Sequence, residues 1–227
     1  MRVLGIETSS RLGSVALWRD GCTLAERLIA QSHNHGALLF VELRQIFDEA
    51  GISPTDLDLV AVSQGPGSFT GLRIGITAAR MAAHVLGVPV IGVPSLDVLA
   101  ENAPPDAPHV ATLLDAKRGE VYAGLYEREG GRLVPQMAHT VVCPDQLDLP
   151  SACLVLGDGC KLFHDGLTCQ GATLAEEEMW RPHASVVARL GAERHEQGER
   201  HDLHSLTPIY LRRPEAEEVW ERRHPKQ

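Results

Sequence analysis

Two carboxylates and a glycine turn are the residues of this chain whose types and spacing could do chemistry. Glu7 lies in the apolar run "RVLGIETSS" and Asp115 follows "HVATLL", so each stands near the end of the first strand of one half of the sequence. Carboxylates at equivalent strand ends can face each other across a cleft and hold a hydrated magnesium with a nucleotide's phosphates. Alternatively, each only fixes the turn that follows it. Between them runs "SQGPGSFTGLRIGITAAR", Ser63 to Arg80, in which Gly65, Gly67 and Gly71 lead into a helix. Free N–H groups and the positive end of a helix dipole favour an anion there. The other reading is a tight strand-to-helix turn with Ser68 or Thr70 as N-cap. A Walker A loop needs lysine after its last glycine, where Leu72 and Arg73 follow here. The glycines are also out of register with G-x-G-x-x-G, and both departures favour the turn.

Other chemistries find less support. His33 and His35 are two apart, a spacing that does not place two ligands on one helix face, and no third ligand is close in sequence. "GPGSFTG" is not a nucleophile elbow. Cys22, Cys143, Cys153, Cys160 and Cys169 form no C-x-x-C pair, which argues against a zinc ribbon or a disulfide framework. The formal net charge of −9 is ill suited to gripping a phosphate backbone unaided. No stretch approaches the roughly 20 apolar residues of a membrane span. With Glu7 and a polar run so early, nothing directs export, and a cytoplasmic location is expected.

The elements that must position these residues can be read from pattern. "RVLGIETSS", "GSVALW" and "CTLAERLIA" read as consecutive antiparallel strands. A helix over His35 to Ala50 follows, with Leu39, Leu43, Ile46, Phe47 and Ala50 at helical spacing. Then come the strand "LDLVAVSQ", a helix over Thr70 to Leu86, the strand "GVPVIGV" and a short helix capped by Ser95. This order predicts a mixed sheet flanked by helices, an α/β architecture. The proline-dense "NAPPDAPH" marks a domain boundary, after which the pattern restarts as a diverged copy: a hairpin turning at Lys117 to Gly119, a weaker strand "AHTVVC", "ACLVLGDG", and the helix "ASVVARLGAERHEQG". Expected units are residues 1–103, 104–213 and a mobile charged tail, 214–227. In the second helix Gly71, Gly75, Ala79 and Ala83 recur every four residues, leaving one face nearly bare. Such a face packs closely on another element of the same chain or on another protein.

"VLGIETSS", "SVALW", the block from Ser63 to Ala100, "LLDAKRGEVYAGLY", "LGDG" and "PIYLR" resemble, in order and spacing, the bacterial TsaB (YeaZ) family across most of the chain. The resemblance implies two tandem actin-like, sugar-kinase-like domains (the ASKHA, RNase H-like class). It further implies a subunit acting with a catalytic paralogue, TsaD, and the ATPase TsaE in making threonylcarbamoyladenosine beside the anticodon of tRNAs that read ANN codons. The paralogue carries an H-x-x-x-H metal pair after its "VPVIGV"-like strand. Ser95 and Leu99 stand there in this chain, so the resemblance implies no metal and no catalytic residue. Asp115 is followed by Ala116, Lys117 and Arg118 before Gly119, which would crowd a phosphate. Weak residual ATP or ADP binding is implied near Glu7, Thr8, Asp115, Gly157 and Gly159. Family members pair with the paralogue, or with a second copy, through the first two helices. That implies an interface of Leu39, Leu43 and Ile46 against Gly71, Gly75, Ala79 and Ala83, with tRNA reached mainly through the partner. The rival expectations are a metal-dependent peptidase or glycopeptidase and an ASKHA phosphotransferase.

Overall fold

A computed structural model describes residues 1–29, 35–161, 171–212 and 220. His33, Cys169 and most of the expected tail lie outside the described residues. The first sheet has the order β3-β2-β1-β4-β5, built from β1 (Arg2–Glu7), β2 (Gly13–Arg19), β3 (Cys22–Ile29), β4 (Leu59–Gly65) and β5 (Val90–Pro94). The first three are antiparallel neighbours, and β4 and β5 add in parallel to β1. Buried residues fill both faces of the central strands, as expected of a sheet covered on both sides.

Alternation sorts those residues between two layers. Leu4, Ile6, Val60 and Val62 share a core with the helices α1 (His35–Ala50) and α2 (Phe69–Leu86). Val3, Leu59, Ala61, Ile91 and Val93 face the other way, toward Val187, Ala188 and Ala192 of a helix over Ala184–Glu196. That helix approaches closely because its contact positions are small: a Cβ on Gly191 would sit 2.4 Å from Cβ of Ala61, and one on Gly5 would sit 2.1 Å from the Ala184 carbonyl oxygen.

The second sheet repeats the first. Its strands are β6 (His109–Lys117), β7 (Glu120–Glu129), β8 (Arg132–Pro135), β9 (Thr140–Val142), β10 (Cys153–Leu156) and β11 (Thr173–Leu174), in the order β11-β10-β6-β7-β8 with β9 also on β7. The β6–β7 and β7–β8 pairs are antiparallel, while β10 joins β6 and β11 joins β10 in parallel, which matches the first sheet strand for strand. These are two mixed-sheet α/β units, as the restart in pattern leads one to expect.

The units exchange helices. The short helix α3 (Ser95–Ala100) belongs by sequence to the first half, yet Leu96, Leu99 and Ala100 pack with Val110, Leu114, Tyr126 and Leu156 of the second. In return, the helix over Ala184–Glu196, here α4, completes the first core. Ser95 does not cap α3. Pro94 holds the cap position, and the buried Ser95 Oγ accepts a hydrogen bond from the N–H of Gly65 at 3.1 Å.

The first N–H groups of α4 are satisfied from the other half. Ala184 N–H donates to Ser14 Oγ at 2.9 Å, and the Ser185 hydroxyl donates to Glu26 at 2.8 Å. Burial by itself raises the Glu26 carboxyl, but hydrogen bonds from His183 and Ser185 outweigh it and hold the group down at about 2. A carboxyl depressed in this way stabilises the fold above its ordinary value of 4.5 and loses that contribution as pH falls toward 2. Replacing Glu26 with Ala is expected to cost about 1–2 kcal/mol at neutral pH. The gap to the parent should shrink at about pH 3. Chemical denaturation at the two pH values checks this, and an unchanged gap would refute it.

Candidate functional site

The two carboxylates each serve their own turn. Glu7 is fully buried; its Oε1 accepts a hydrogen bond from the Ser9 hydroxyl at 2.6 Å, and its Oε2 has no partner among the described residues. Burial pushes this carboxyl up against the pull of its hydrogen bonds from Ser9. Asp115 stays partly exposed, accepts the N–H of Lys117 at 2.7 Å and pairs with the Lys117 ammonium. Lys117 and Arg118 hold left-handed backbone, with φ of 65° and 58°, so the turn that glycines would form in a phosphate cradle carries two long side chains instead.

The glycine turns are similarly occupied by the chain itself. Gly65 N–H goes to Ser95 Oγ, Ser68 N–H to the Ser9 carbonyl at 2.7 Å, and Gly71 N–H to Ser68 Oγ at 3.2 Å. Ser68 is thus the N-cap of α2, and donors that an anion would need are already used. In the second half Gly159 N–H donates to the Leu113 carbonyl at 3.0 Å, and a Cβ on Gly157 would stand 2.1 Å from that same oxygen. Their smallness lets this turn close on β6. Thr8 N–H is bound by Ser63 Oγ at 3.1 Å, and its hydroxyl oxygen lies against the backbone of α2.

The segment after α4 is a strap joining the halves beside the glycine turn. Leu206 is buried in the first core, Ile209 N–H donates to the Gln64 carbonyl at 2.7 Å, and Gln64 Nε2 donates to the Thr207 carbonyl at 2.8 Å. Further on, Arg212 donates to the Ala116 carbonyl at 2.7 Å and pairs with Glu120 of β7. The long sequence separation of these contacts left no local signal to find them.

The bare face of α2 points inward. Gly75, Ala79 and Ala83 are buried, and a Cβ on Gly71 or Gly75 would stand 2.1 Å from Thr8 atoms. Leu39 and Ile46 are fully buried in the same core, with Leu43 packed partly buried beside it. For Leu39, Ile46, Gly75, Ala79 and Ala83 the expected interface is therefore corrected, because burial there holds α1 and α2 on the sheet, while Leu43 and Gly71 keep partial exposure. Helical periodicity reports the buried face, and the outward face escapes it because its apolar residues are interspersed with polar ones. Phe40 (56% exposed) and Val41 project from α1; Phe69, Met81 (57%) and Val85 (79%) project from α2. On α2, Phe69, Arg73, Thr77, Met81 and Val85 recur every four residues along one exposed line.

At the two positions where the resemblance implies a metal pair in the paralogue, Ser95 holds the glycine turn and Leu99 fills the second core. No group of three or more histidine, cysteine or acidic residues among those described is placed to hold a metal ion. No helix among them is long and apolar enough to cross a membrane.

The tRNA threonylcarbamoyladenosine biosynthesis protein TsaB of Bacillus subtilis (strain 168) is 34% identical, with 97% of this chain and 98% of the relative covered. The chain belongs to the TsaB family. TsaB of Escherichia coli (strain K12) is 32% identical over 93% of this chain and 95% of its own length. The solved structure of YeaZ from Pseudomonas aeruginosa, 29% identical, superposes with a TM-score of 0.80 over 92% of this chain and 99% of that one. The family model "TsaD: tRNA N6-adenosine threonylcarbamoyltransferase" matches residues 23–152, from β3 into the second sheet. TsaB and that transferase therefore share a framework, and α1 and α2 fall within the matched region.

The inward stripe and the outward line should separate in stability measurements on this TsaB-family chain. Gly75→Val pushes a side chain into Thr8, and overpacking of this kind costs about 1–3 kcal/mol. Val85→Ser, on the open surface, is expected to stay within about 0.5 kcal/mol of the parent. Thermal unfolding of both variants checks this. A neutral Gly75→Val would contradict the inward placement.

Proposed function

We propose that this chain is a non-catalytic subunit of the machinery that makes threonylcarbamoyladenosine beside the anticodon of ANN-reading tRNAs, and that it binds and activates the catalytic TsaD-family paralogue. The observation that carries this reading is the exposed apolar surface on the outer sides of α1 and α2, formed by Phe40, Val41, Met81 and Val85. Side chains of this size on neighbouring helices are what a bundle across a protein interface buries. The altered phosphate turn and the glycine N–H groups already engaged within the chain support a role through surfaces rather than through turnover.

Under this reading a TsaE-type ATPase joins the assembly through the pair, and tRNA is held mainly by the partner, consistent with this chain's net charge of −9. Without the paralogue the same apolar surface favours a homodimer, since it is buried only by pairing. ATP or ADP binds weakly at most, and the complex works in the cytoplasm. Partner-independent ATP turnover, or stoichiometric zinc or iron in the purified protein, would instead favour a phosphotransferase or a metallopeptidase.

Charging the outer line tests the reading. The double variant Met81→Asp, Val85→Asp is expected to lower affinity for the purified paralogue at least about 100-fold, because two carboxylates would be buried in an apolar contact. Its melting temperature should stay near the parent's. A double variant that still co-elutes with the paralogue would remove the proposed interface.

A further inference from the structure

The outer line of α2 does not end in apolar residues. At its N-terminal end stands Arg73, whose guanidinium lies 3.8 Å over the ring centroid of Phe69 and whose Nε donates to the Tyr210 hydroxyl at 3.1 Å. The Phe69 and Tyr210 rings are 5.5 Å apart at 33°, and both residues are 41% exposed. Tyr210 reaches this place because the strap carries it there, anchored by buried Leu206 and by the pairing of Gln64 with Thr207 and Ile209. A long cationic side chain that would otherwise sample many rotamers on an exposed helix is thus held in one.

Holding Nε in this way fixes which edge remains for recognition. The Nη1 and Nη2 edge carries parallel N–H donors, and Arg73 stands on the exposed line of α2 that continues through Thr77 to Met81 and Val85. Two parallel donors match the two oxygens of a carboxylate. We propose that Arg73, set by Phe69 and Tyr210, is the charge-recognition residue at one end of the partner surface and takes a carboxylate of the partner protein in a two-bond fork. This rests on the reading of α1 and α2 as the partner-binding helices. A protein carboxylate is favoured over an RNA phosphate because the adjoining surface is apolar, whereas a nucleic-acid backbone calls for several clustered cations. Arg, Tyr and Phe are also the residue types that protein interfaces use as anchors. The strap thereby acts as a positioning element for the interface as well as a tie between the halves.

Binding of the purified paralogue at low and high salt, measured for the parent and for Arg73→Ala, Arg73→Lys, Tyr210→Phe and Met81→Asp, tests the assignment. Arg73→Ala is expected to weaken binding about 10- to 100-fold and to flatten its salt dependence. Arg73→Lys should recover little, since an ammonium lacks the planar fork. Tyr210→Phe, which removes only the hydroxyl that fixes Nε, should show a smaller loss with the salt dependence kept. Thermal unfolding of all four variants should match the parent, which separates recognition from folding. If Arg73→Ala binds like the parent while Met81→Asp does not, the Arg73 assignment is wrong and the interface stands. If Met81→Asp also binds like the parent, the interface itself falls. Loss of tRNA retention by Arg73→Ala with unchanged paralogue affinity would mark a phosphate contact, and a change only in self-association would mark a contact between copies; either overturns the proposal.

Discussion

The seating of α2 on the end of β1 is the constraint from which most of this molecule's arrangement follows. Thr8 lies against the backbone of that helix where Gly71 and Gly75 present no side chain, and Ala79 and Ala83 continue the close approach over the core. A helix this close to a strand cannot rotate without a clash, so its outer line is set as well. The same seating draws the glycine turn onto Ser9, whose carbonyl takes the Ser68 N–H. A turn that resembles an anion cradle in sequence is thereby bonded to its own chain.

Around that contact the two halves are tied by three routes. Helix α3 lies on the second sheet, α4 lies on the first, and the strap runs from Leu206 in the first core to Arg212 beside Ala116 and Glu120. Asp97 on α3 reinforces the exchange, because it accepts hydrogen bonds from the Tyr126 hydroxyl at 2.9 Å and from Arg194 of α4 at 2.7 Å. Each half thereby completes the other's core.

Much of this was legible in the sequence because it depends on local pattern. The apolar runs in "RVLGIE" and "LVAVS" and the helical spacing of Leu39, Leu43 and Ile46 mark real elements, and the restart after "NAPPDAPH" marks a real repeat of strand order. Direction was not legible. Gly75, Ala79 and Ala83 form a bare stripe whether it meets a strand of the same chain or a helix of another, and only Thr8 in three dimensions decides between them. Nor does the small-residue face of α4 say which sheet receives it, since Ala188 and Gly191 meet Gly5 and Ala61 from residues far away in sequence. Met81 and Val85 were passed over because apolar residues outside the periodic set carry no signal of exposure.

The central claim is that function resides on the outer surface of α1 and α2 rather than at the turns that hold Glu7 and Asp115. The most direct measurement is mass spectrometry of bulk tRNA from cells depleted of this protein and supplied with one of two variants, Phe40→Asp with Val41→Asp on the outer surface or Asp115→Ala at the second turn. The account predicts that threonylcarbamoyladenosine disappears with the outer-surface variant and persists with the turn variant. Persistence with the first and loss with the second would contradict it.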